Sequence, residues 1–363
     1  TTLLVVAAQP PRPAKTPNDT LVSTRVTSNN EIIFSIYAPK ASEVTISGDF
    51  KSGYPAKSLT KSSNGVWSFM TAPLTPDIYT YDFVVDGVKT LDPKNTQYKE
   101  SENSLSNIII MEGTSTDYAA LKNVPHGNLQ IVNIYSSVLK KQVRFHVYIT
   151  PGIQQSNKPL PVLYLQHGGG DNDASWSSVG RAHFILDNLF AENKITPMVV
   201  VMPMGHPTPG FHMELGLKED PYYDILFQDI MPYVEKEFHV SKNRFDRAYA
   251  GLSMGGLQAL NIALFAPEKF GYVLPLSTGY FPEKLKELDE KHSAVLSNPA
   301  INELKLFWIA MGGKEDIAYQ NGENMKALFN KYKIKYTTHN YDAGHTFITW
   351  RHDLVNFAPL LFK

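Results

Sequence analysis

The 363-residue sequence contains no cysteine. That excludes thiol nucleophiles, disulfide bracing and cysteine-ligated metal. It has no apolar run near the roughly 20 residues that a membrane helix needs. It also has no excess of charge: 34 basic residues face 35 acidic ones, a net charge of −1, with no block of one sign. No polybasic footprint exists for nucleic acid or a membrane surface, and no partner of either kind is expected. The 11 histidines show no H-E-x-x-H or similar ligand spacing, so neither a metal nor another cofactor is expected. The opening TTLLVVAAQPPRPAKTP has no starting methionine and no basic n-region. It reads either as the remnant of a leader or as a frayed first strand.

What is present describes an ordinary globular chain, 43% hydrophobic and 19% charged, long enough for two domains. After a leader remnant or linker over 1–24, residues 25–112 follow a period of 2. EIIFSIYAPKASEVTISGDF (Glu31 to Phe50) gives two short strands broken at Ala38-Pro39-Lys40, and GVWSFM gives another. IYTYDFVVDGVKTLDP is a hairpin closed on Asp86-Gly87, a dipeptide that accepts positive φ. Short strands without a helix-length segment predict a small all-β, immunoglobulin-like sandwich. Its Trp67, Tyr79 and Tyr81 either stack on sugar rings or fill the core.

Residues 113–127 are a small, polar linker, and from 128 to 363 the period changes. Two strands come first, and then short, wholly apolar strands alternate with amphipathic helices, among them the long YYDILFQDIMPYVEKEFHV. That grammar predicts an α/β fold, a mostly parallel sheet with helices on both faces.

One decapeptide in this half, YAGLSMGGLQ, carries chemistry. Ser253 lies where a strand (RAYAGLS) gives way to a helix (MGGLQALNIAL), flanked by Gly251 and Gly255. This is the context of a nucleophile elbow, where the turn is so tight that only glycine fits on either side. Downstream, YDAGHTFITWRHDL places His345 in a loop between a strand and the final helix, with His352 a weaker competitor. Between serine and histidine, Asp316 ends a strand expected over 304–311; Glu315 and Asp342 are its neighbours and alternatives. Ser253, Asp316 and His345 thus occur in the order nucleophile, acid, base. Upstream, LYLQHGGGDNDASW offers His167 to Gly170 after a strand. The Gly169 and Met254 N–H groups are the expected oxyanion hole. Trp176 and the loop from Pro203 to Gly216, with Met204, Phe211 and Met213, are candidates to line an acyl pocket.

With these residues in place the chain resembles the esterase-D-like α/β-hydrolases, and within them the feruloyl and acetyl-xylan esterases of carbohydrate esterase family one. The resemblance rests on the His167–Gly170 turn followed by Trp176, on PYVE at Pro232, and on GLSMGG at Gly251, and it covers about residues 128 to 363. The chain departs from that pattern at Gly169, where the family carries a bulkier residue, and at Asp171, where it carries a glycine. The family's G-x-x-D pattern, here Gly313 to Asp316, points to Asp316 as the acid. FSIYAPKASEVTISGDF, GVWSF and YTYDFVVDGVKTLDPKN resemble the early-set sandwich module found before such esterases, itself similar to glycogen-binding carbohydrate-binding modules.

The resemblance implies a secreted or periplasmic bacterial serine carboxylesterase acting on feruloyl or other hydroxycinnamoyl esters of plant cell-wall xylan. Three other readings follow from the same residues. The enzyme would be an acetyl-xylan or other carbohydrate acetyl esterase, a siderophore esterase of the enterochelin type, or a polysaccharide-binding protein with little or no activity. Acyl transfer to a sugar acceptor is a further variant of the same chemistry.

Overall fold

The computed structural model describes residues 14–50, 56–152, 158–206, 208 and 212–363. Two compact units divide the chain. One holds the residues up to Thr75 with Tyr81–Thr96, the other Pro76–Thr80 with Gln97–Lys363.

In the first unit the period-2 segments are strands: β1 (Thr24–Val26), β2 (Ile32–Tyr37), β3 (Val44–Gly48), β4 (Lys57–Ser58), β5 (Thr60–Lys61), β6 (Val66–Met70), β7 (Ile78–Val85) and β8 (Val88–Thr90). The first three residues of β7 belong to the second unit. One sheet runs β1-β2-β6-β5, and the other contains β4-β3-β7 with β8 paired to β7. Ile32, Phe34, Val44, Ile46, Tyr81 and Phe83 are fully buried, the alternate-residue burial a two-layer sandwich requires. The β7–β8 hairpin turns on Asp86 (φ 47°) and Gly87 (φ 82°).

The aromatics considered for sugar stacking are core residues. Trp67 is buried with its indole N–H donating to Ala38 O at 2.9 Å. Tyr81 is buried against Phe34, and its hydroxyl donates to Asp92 at 2.6 Å. Tyr79 is 4% exposed, in the segment that belongs to the second unit. Their alternation was that of a sandwich interior.

The second unit begins with an antiparallel hairpin, β9 (Tyr98–Glu100) and β10 (Leu105–Ile110). Its sheet has eight strands: β11 (Asn128–Tyr135), β12 (Gln142–Ile149), β13 (Val162–Gln166), β14 (Val199–Pro203), β15 (Arg247–Leu252), β16 (Tyr272–Leu276), β17 (Leu306–Met311) and β18 (Thr337–Asn340), in the order β11-β12-β14-β13-β15-β16-β17-β18. β11 and β12 pair antiparallel, β12 runs antiparallel to β14, and every later pair is parallel. β13 to β16 are buried along their whole length, which explains sequences that are apolar except at two strand ends, Gln166 and Arg247.

Helices α1 (Ala182–Ala191), α2 (Pro221–Ile225), α3 (Met231–Glu237), α4 (Met254–Phe265), α5 (Pro282–Lys291), α6 (Ser293–Leu296), α7 (Tyr319–Lys331) and α8 (Phe347–Phe357) cover this sheet. α1 and α8 share one core layer with Leu163, Leu165, Val200 and Ala250. The others share the opposite layer with Val162, Tyr164, Val201 and Tyr249. The long helix expected over residues 222–240 is interrupted by a π-helical turn, Leu226–Ile230, between α2 and α3. Pro232, at the start of α3, has no N–H to donate back one turn, and a widened turn accommodates the gap.

Helix α8 is anchored by a buried ion pair. Arg351, wholly buried, donates to Asp77 at 2.7 Å, to Ile78 O at 2.8 Å and to Val179 O at 2.9 Å. Burial alone would raise the Asp77 carboxyl. The His352 imidazole, 3.6 Å from Asp77 Oδ2, the Arg351 charge and the Ile78 N–H together outweigh burial and hold it below the ordinary carboxylate value. Removing one partner leaves an uncompensated buried charge, so Arg351→Met is expected to lower unfolding stability by about 3–5 kcal/mol. Urea denaturation checks this.

Candidate active site

Ser253 lies between the end of β15 and the start of α4, at the N-cap of the helix. Its N–H still donates to Leu276 O at 2.9 Å, in register with β16, while its φ of 53° and ψ of −113° turn the chain sharply into the helix. The flanking glycines are forced by this turn. A Cβ on Gly251 would stand 2.2 Å from Gly255 O, and one on Gly255 would stand 2.5 Å from His167 O.

His345 Nε2 lies 2.9 Å from Ser253 Oγ, and His345 Nδ1 lies 2.8 Å from Asp316 Oδ1. The sequence order of serine, acid and base has become a continuous hydrogen-bonded chain across three strand ends. Asp316 is buried, and the Gly312 and Ala318 N–H groups donate to its two oxygens, each at 2.9 Å. Burial pushes its carboxyl up, but hydrogen bonds from His345, Ser277 and Ala318 with the His345 charge outweigh that and hold it below the ordinary value. It therefore remains an anion facing the imidazole. Ser277 in turn accepts the Trp350 indole N–H at 2.9 Å, and the Trp350 ring packs edge-on against His345, 5.1 Å between centroids. The two alternatives for the acid are exposed: Glu315 and Asp342 both face solvent. His352 is stacked on Tyr341 with centroids 3.8 Å apart, so it serves the α8 anchor instead.

Met254 is the first residue of α4, where backbone N–H groups have no intrahelical acceptor. The His167–Gly170 turn lies against the elbow, since a Cβ on Gly168 would come within 3.3 Å of Ser253 Cβ. Gly169 follows, half-buried. His167 holds this turn in place: Nδ1–H donates to Gly168 O at 2.7 Å, and Nε2 accepts the Gly205 N–H at 2.8 Å. Gly205 O accepts from Gln258 on α4 at 2.8 Å. Burial, the dominant cause, drives the His167 pKa down to about 3, so the ring stays neutral and keeps one donor and one acceptor.

A cavity of about 260 Å³ opens at Ser253 and His345, with apolar lining from Met213, Met254, Leu257, Phe281 and Ile317 and polar lining from Thr278 and Asn321. Ile317 is 82% exposed and Phe281 38%, high values for apolar side chains with no partner in hand. Met213, from the loop expected to line an acyl pocket, is there. Trp176 is not: it is 1% exposed, packs edge-on against Phe347, and its indole N–H donates to Gln166 O at 3.0 Å. It supports the glycine turn from within the core. Met204 lines a separate groove, and Phe211 lies outside the described residues. The cavity's main wall, Leu257, Phe281 and Ile317, was not singled out from sequence. Ile317 follows Asp316 directly, and a bulky apolar residue next to a catalytic-type acid was the available signal. Among the described residues no group of metal-ligating side chains could hold a metal ion.

Comparison with known proteins gives the family of this chain. The family described as "Putative esterase" matches residues 136–361, and that described as the glycogen recognition site of AMP-activated protein kinase matches residues 33–117. The chain is 33% identical over 347 residues to an endo-1,4-beta-xylanase/feruloyl esterase of Xylanibacter ruminicola, covering 93% of this chain and 46% of that protein. The chain spans about half the length, or less, of the curated relatives it matches. Among solved structures, the enterobactin esterase of Shigella flexneri superposes with a TM-score of 0.71 at 19% identity, covering 94% of this chain and 98% of that one. A ferulic acid esterase superposes with a TM-score of 0.55 at 22% identity, covering 65% of this chain and 98% of that one.

The His167 environment has a measurable consequence. Between pH 6.5 and about 3 the unfolded chain binds a proton on this imidazole that the folded chain does not. Stability therefore falls as pH drops through that window. His167→Gln keeps an acceptor for the Gly205 N–H and removes the titrating group. Its stability should fall less steeply than wild type below pH 6.5, by up to about 1.4 kcal/mol per pH unit, as urea titrations at stepped pH would show.

Proposed function

Because the matched model spans residues 136–361, the chain belongs to this esterase family, and we propose that it is a serine carboxylesterase cleaving feruloyl or related hydroxycinnamoyl esters of xylan. The hydrogen-bonded chain from Ser253 through His345 to Asp316 carries this reading. As the substrate carbonyl arrives, His345 Nε2 takes the Ser253 proton and Oγ attacks the carbonyl carbon. Asp316 fixes the tautomer and stabilises the imidazolium. The Met254 and Gly169 N–H groups are assigned to the oxyanion, whose charge develops at the α4 N-terminus. His345 then returns the proton to the departing alcohol oxygen, leaving an acyl-serine. A water deprotonated by the same imidazole hydrolyses the acyl-serine, releasing the carboxylic acid and restoring Ser253.

The acyl group is argued from the cavity. An acetyl group would leave most of 260 Å³ unfilled and the Phe281 and Ile317 surfaces wet. A phenylpropenoyl group covers them, at about 25 cal/mol for each Å² removed from water. The Xylanibacter relative, named for feruloyl esterase and xylanase activity, supports the same choice. Polymeric xylan cannot enter a cell, so the proposed location is secreted or periplasmic.

Methyl ferulate and p-nitrophenyl acetate, tested with wild type and Ser253→Ala, check the reading. Wild type should release ferulate, and the variant should lose about 10⁴-fold or more in kcat. Cleavage of acetate alone would move the substrate to acetylated sugars, and cleavage of neither would refute the esterase. Phe281→Ala should lower kcat/KM on methyl ferulate about tenfold more than on the acetate, since about 1.4 kcal/mol of apolar contact is lost for one substrate only.

A further inference from the structure

Gly168, Gly169 and Gly170 give the turn beside Ser253 wide backbone freedom, so its direction has to be set from outside. A planar trans peptide points its C=O and its N–H in opposite directions. The peptide that carries the Gly169 N–H also carries the Gly168 C=O, and that oxygen is held twice. It accepts from His167 Nδ1–H at 2.7 Å and from the Asp171 N–H at 3.3 Å. The direction of the Gly169 N–H therefore depends on two residues, one at each end of the turn. His167 is tied to the loop after β14 through Gly205. Asp171 is tied to the β9–β10 hairpin.

That hairpin grips the turn at several points. The Glu102 N–H donates to Gly170 O at 3.0 Å. Asn172 Nδ2 donates to Glu100 Oε1 at 2.9 Å and to Ser101 O at 3.1 Å, and the Ser175 hydroxyl donates to Glu100 O at 3.1 Å. At Asp171 itself the contact is ionic: Lys99 Nζ, from β9, pairs with the carboxylate. The two side chains are only 20% and 9% exposed, and a charge pair withdrawn from water is stronger than one on the surface. Lys99 Nζ also lies 5.2 Å from the centre of the Phe347 ring, within cation–π range. Phe347 opens α8 two residues after His345. Trp350 packs edge-on against both of these rings, 5.1 Å from His345 and 5.0 Å from Phe347 between centroids. One ammonium group thus touches both the residue that closes the glycine turn and the aromatic layer that backs His345.

We infer that Lys99 is a positioning residue for the oxyanion hole: paired with Asp171 and seated on Phe347, it fixes the direction of the Gly169 N–H relative to Ser253 and His345. The inference rests on the esterase reading above and on its assignment of Gly169. This N–H matters most when the carbonyl oxygen becomes an anion. A misdirected peptide therefore costs transition-state binding and leaves substrate binding alone.

Lys99→Met keeps the stem and Asp171→Asn keeps the shape, and each removes one charge. Both, with their double variant and Lys99→Arg, are assayed on methyl ferulate and on p-nitrophenyl acetate. Deleting an oxyanion donor outright costs about 10²–10³ in kcat, so a donor left loose should cost about tenfold. That loss should appear in each single variant and equally on both substrates, whose oxyanion is the same, with KM within about twofold of wild type. The double variant should be no slower than the singles, because one pair is lost in every case. Lys99→Arg, which restores the cation, should recover most of kcat. Either single variant carries the test where the other does not fold. A kcat within about twofold of wild type, a loss confined to methyl ferulate, or a loss carried by KM would overturn the inference and leave the esterase intact. Losses that multiply in the double variant would overturn it too. Failure of wild type on both esters would refute the esterase reading itself, and the inference with it.

Discussion

Ser253 holds φ at 53° and ψ at −113°, a region closed to most residues with a side chain and costing about 1–3 kcal/mol. The surroundings leave it no alternative. Its N–H is committed to Leu276 O, and Gly251 and Gly255 touch across the turn at distances no Cβ allows. The strain aims the hydroxyl out of the sheet edge toward His345, and it places the first free N–H groups of α4 beside that hydroxyl. The glycine turn, the His167 tether and the cavity at Ser253 are all arranged around this one conformation.

Electrostatics at the site come from burial acting differently on similar groups. Asp316 and Asp353 are both buried. Asp316, surrounded by donors from His345, Ser277 and Ala318, stays below the ordinary carboxylate value. Asp353 is driven well above it by burial and by the Asp316 charge, so it stays neutral. His167 is likewise kept neutral by burial, and His345 is left as the imidazole in contact with both serine and acid. Two carboxyl groups, Asp316 and Asp353, held in opposed protonation states by their surroundings are the pattern that acid–base chemistry at neutral pH requires.

The fold and the reacting groups were legible in the sequence because each depends on local chemistry. Wholly apolar strands, the Asp86-Gly87 hairpin and the glycines around Ser253 answer to backbone rules that operate within a few residues. The acid was legible through its position after β17, although burial and the contact with His345 are what separate Asp316 from Glu315 and Asp342 in the fold. The walls of the site were not. Trp67 and Tyr81 look like sugar platforms from their type alone, and only their depth in the sandwich makes them core. Trp176 follows the glycine turn in sequence but packs beneath it. Phe281 and Ile317 come from loops after different strands, and no local pattern declares that those loops meet. Glu100 and Arg144, 44 residues apart, likewise meet across the unit with no local pattern to announce it.

If Ser253 is the nucleophile, it and no other side chain forms a covalent acyl intermediate during turnover. Mass spectrometry of the protein quenched during turnover of p-nitrophenyl ferulate tests this most directly. One added feruloyl group is expected on the peptide containing Ser253, disappearing as substrate is exhausted. Turnover with no adduct, or with an adduct on another residue, would contradict it.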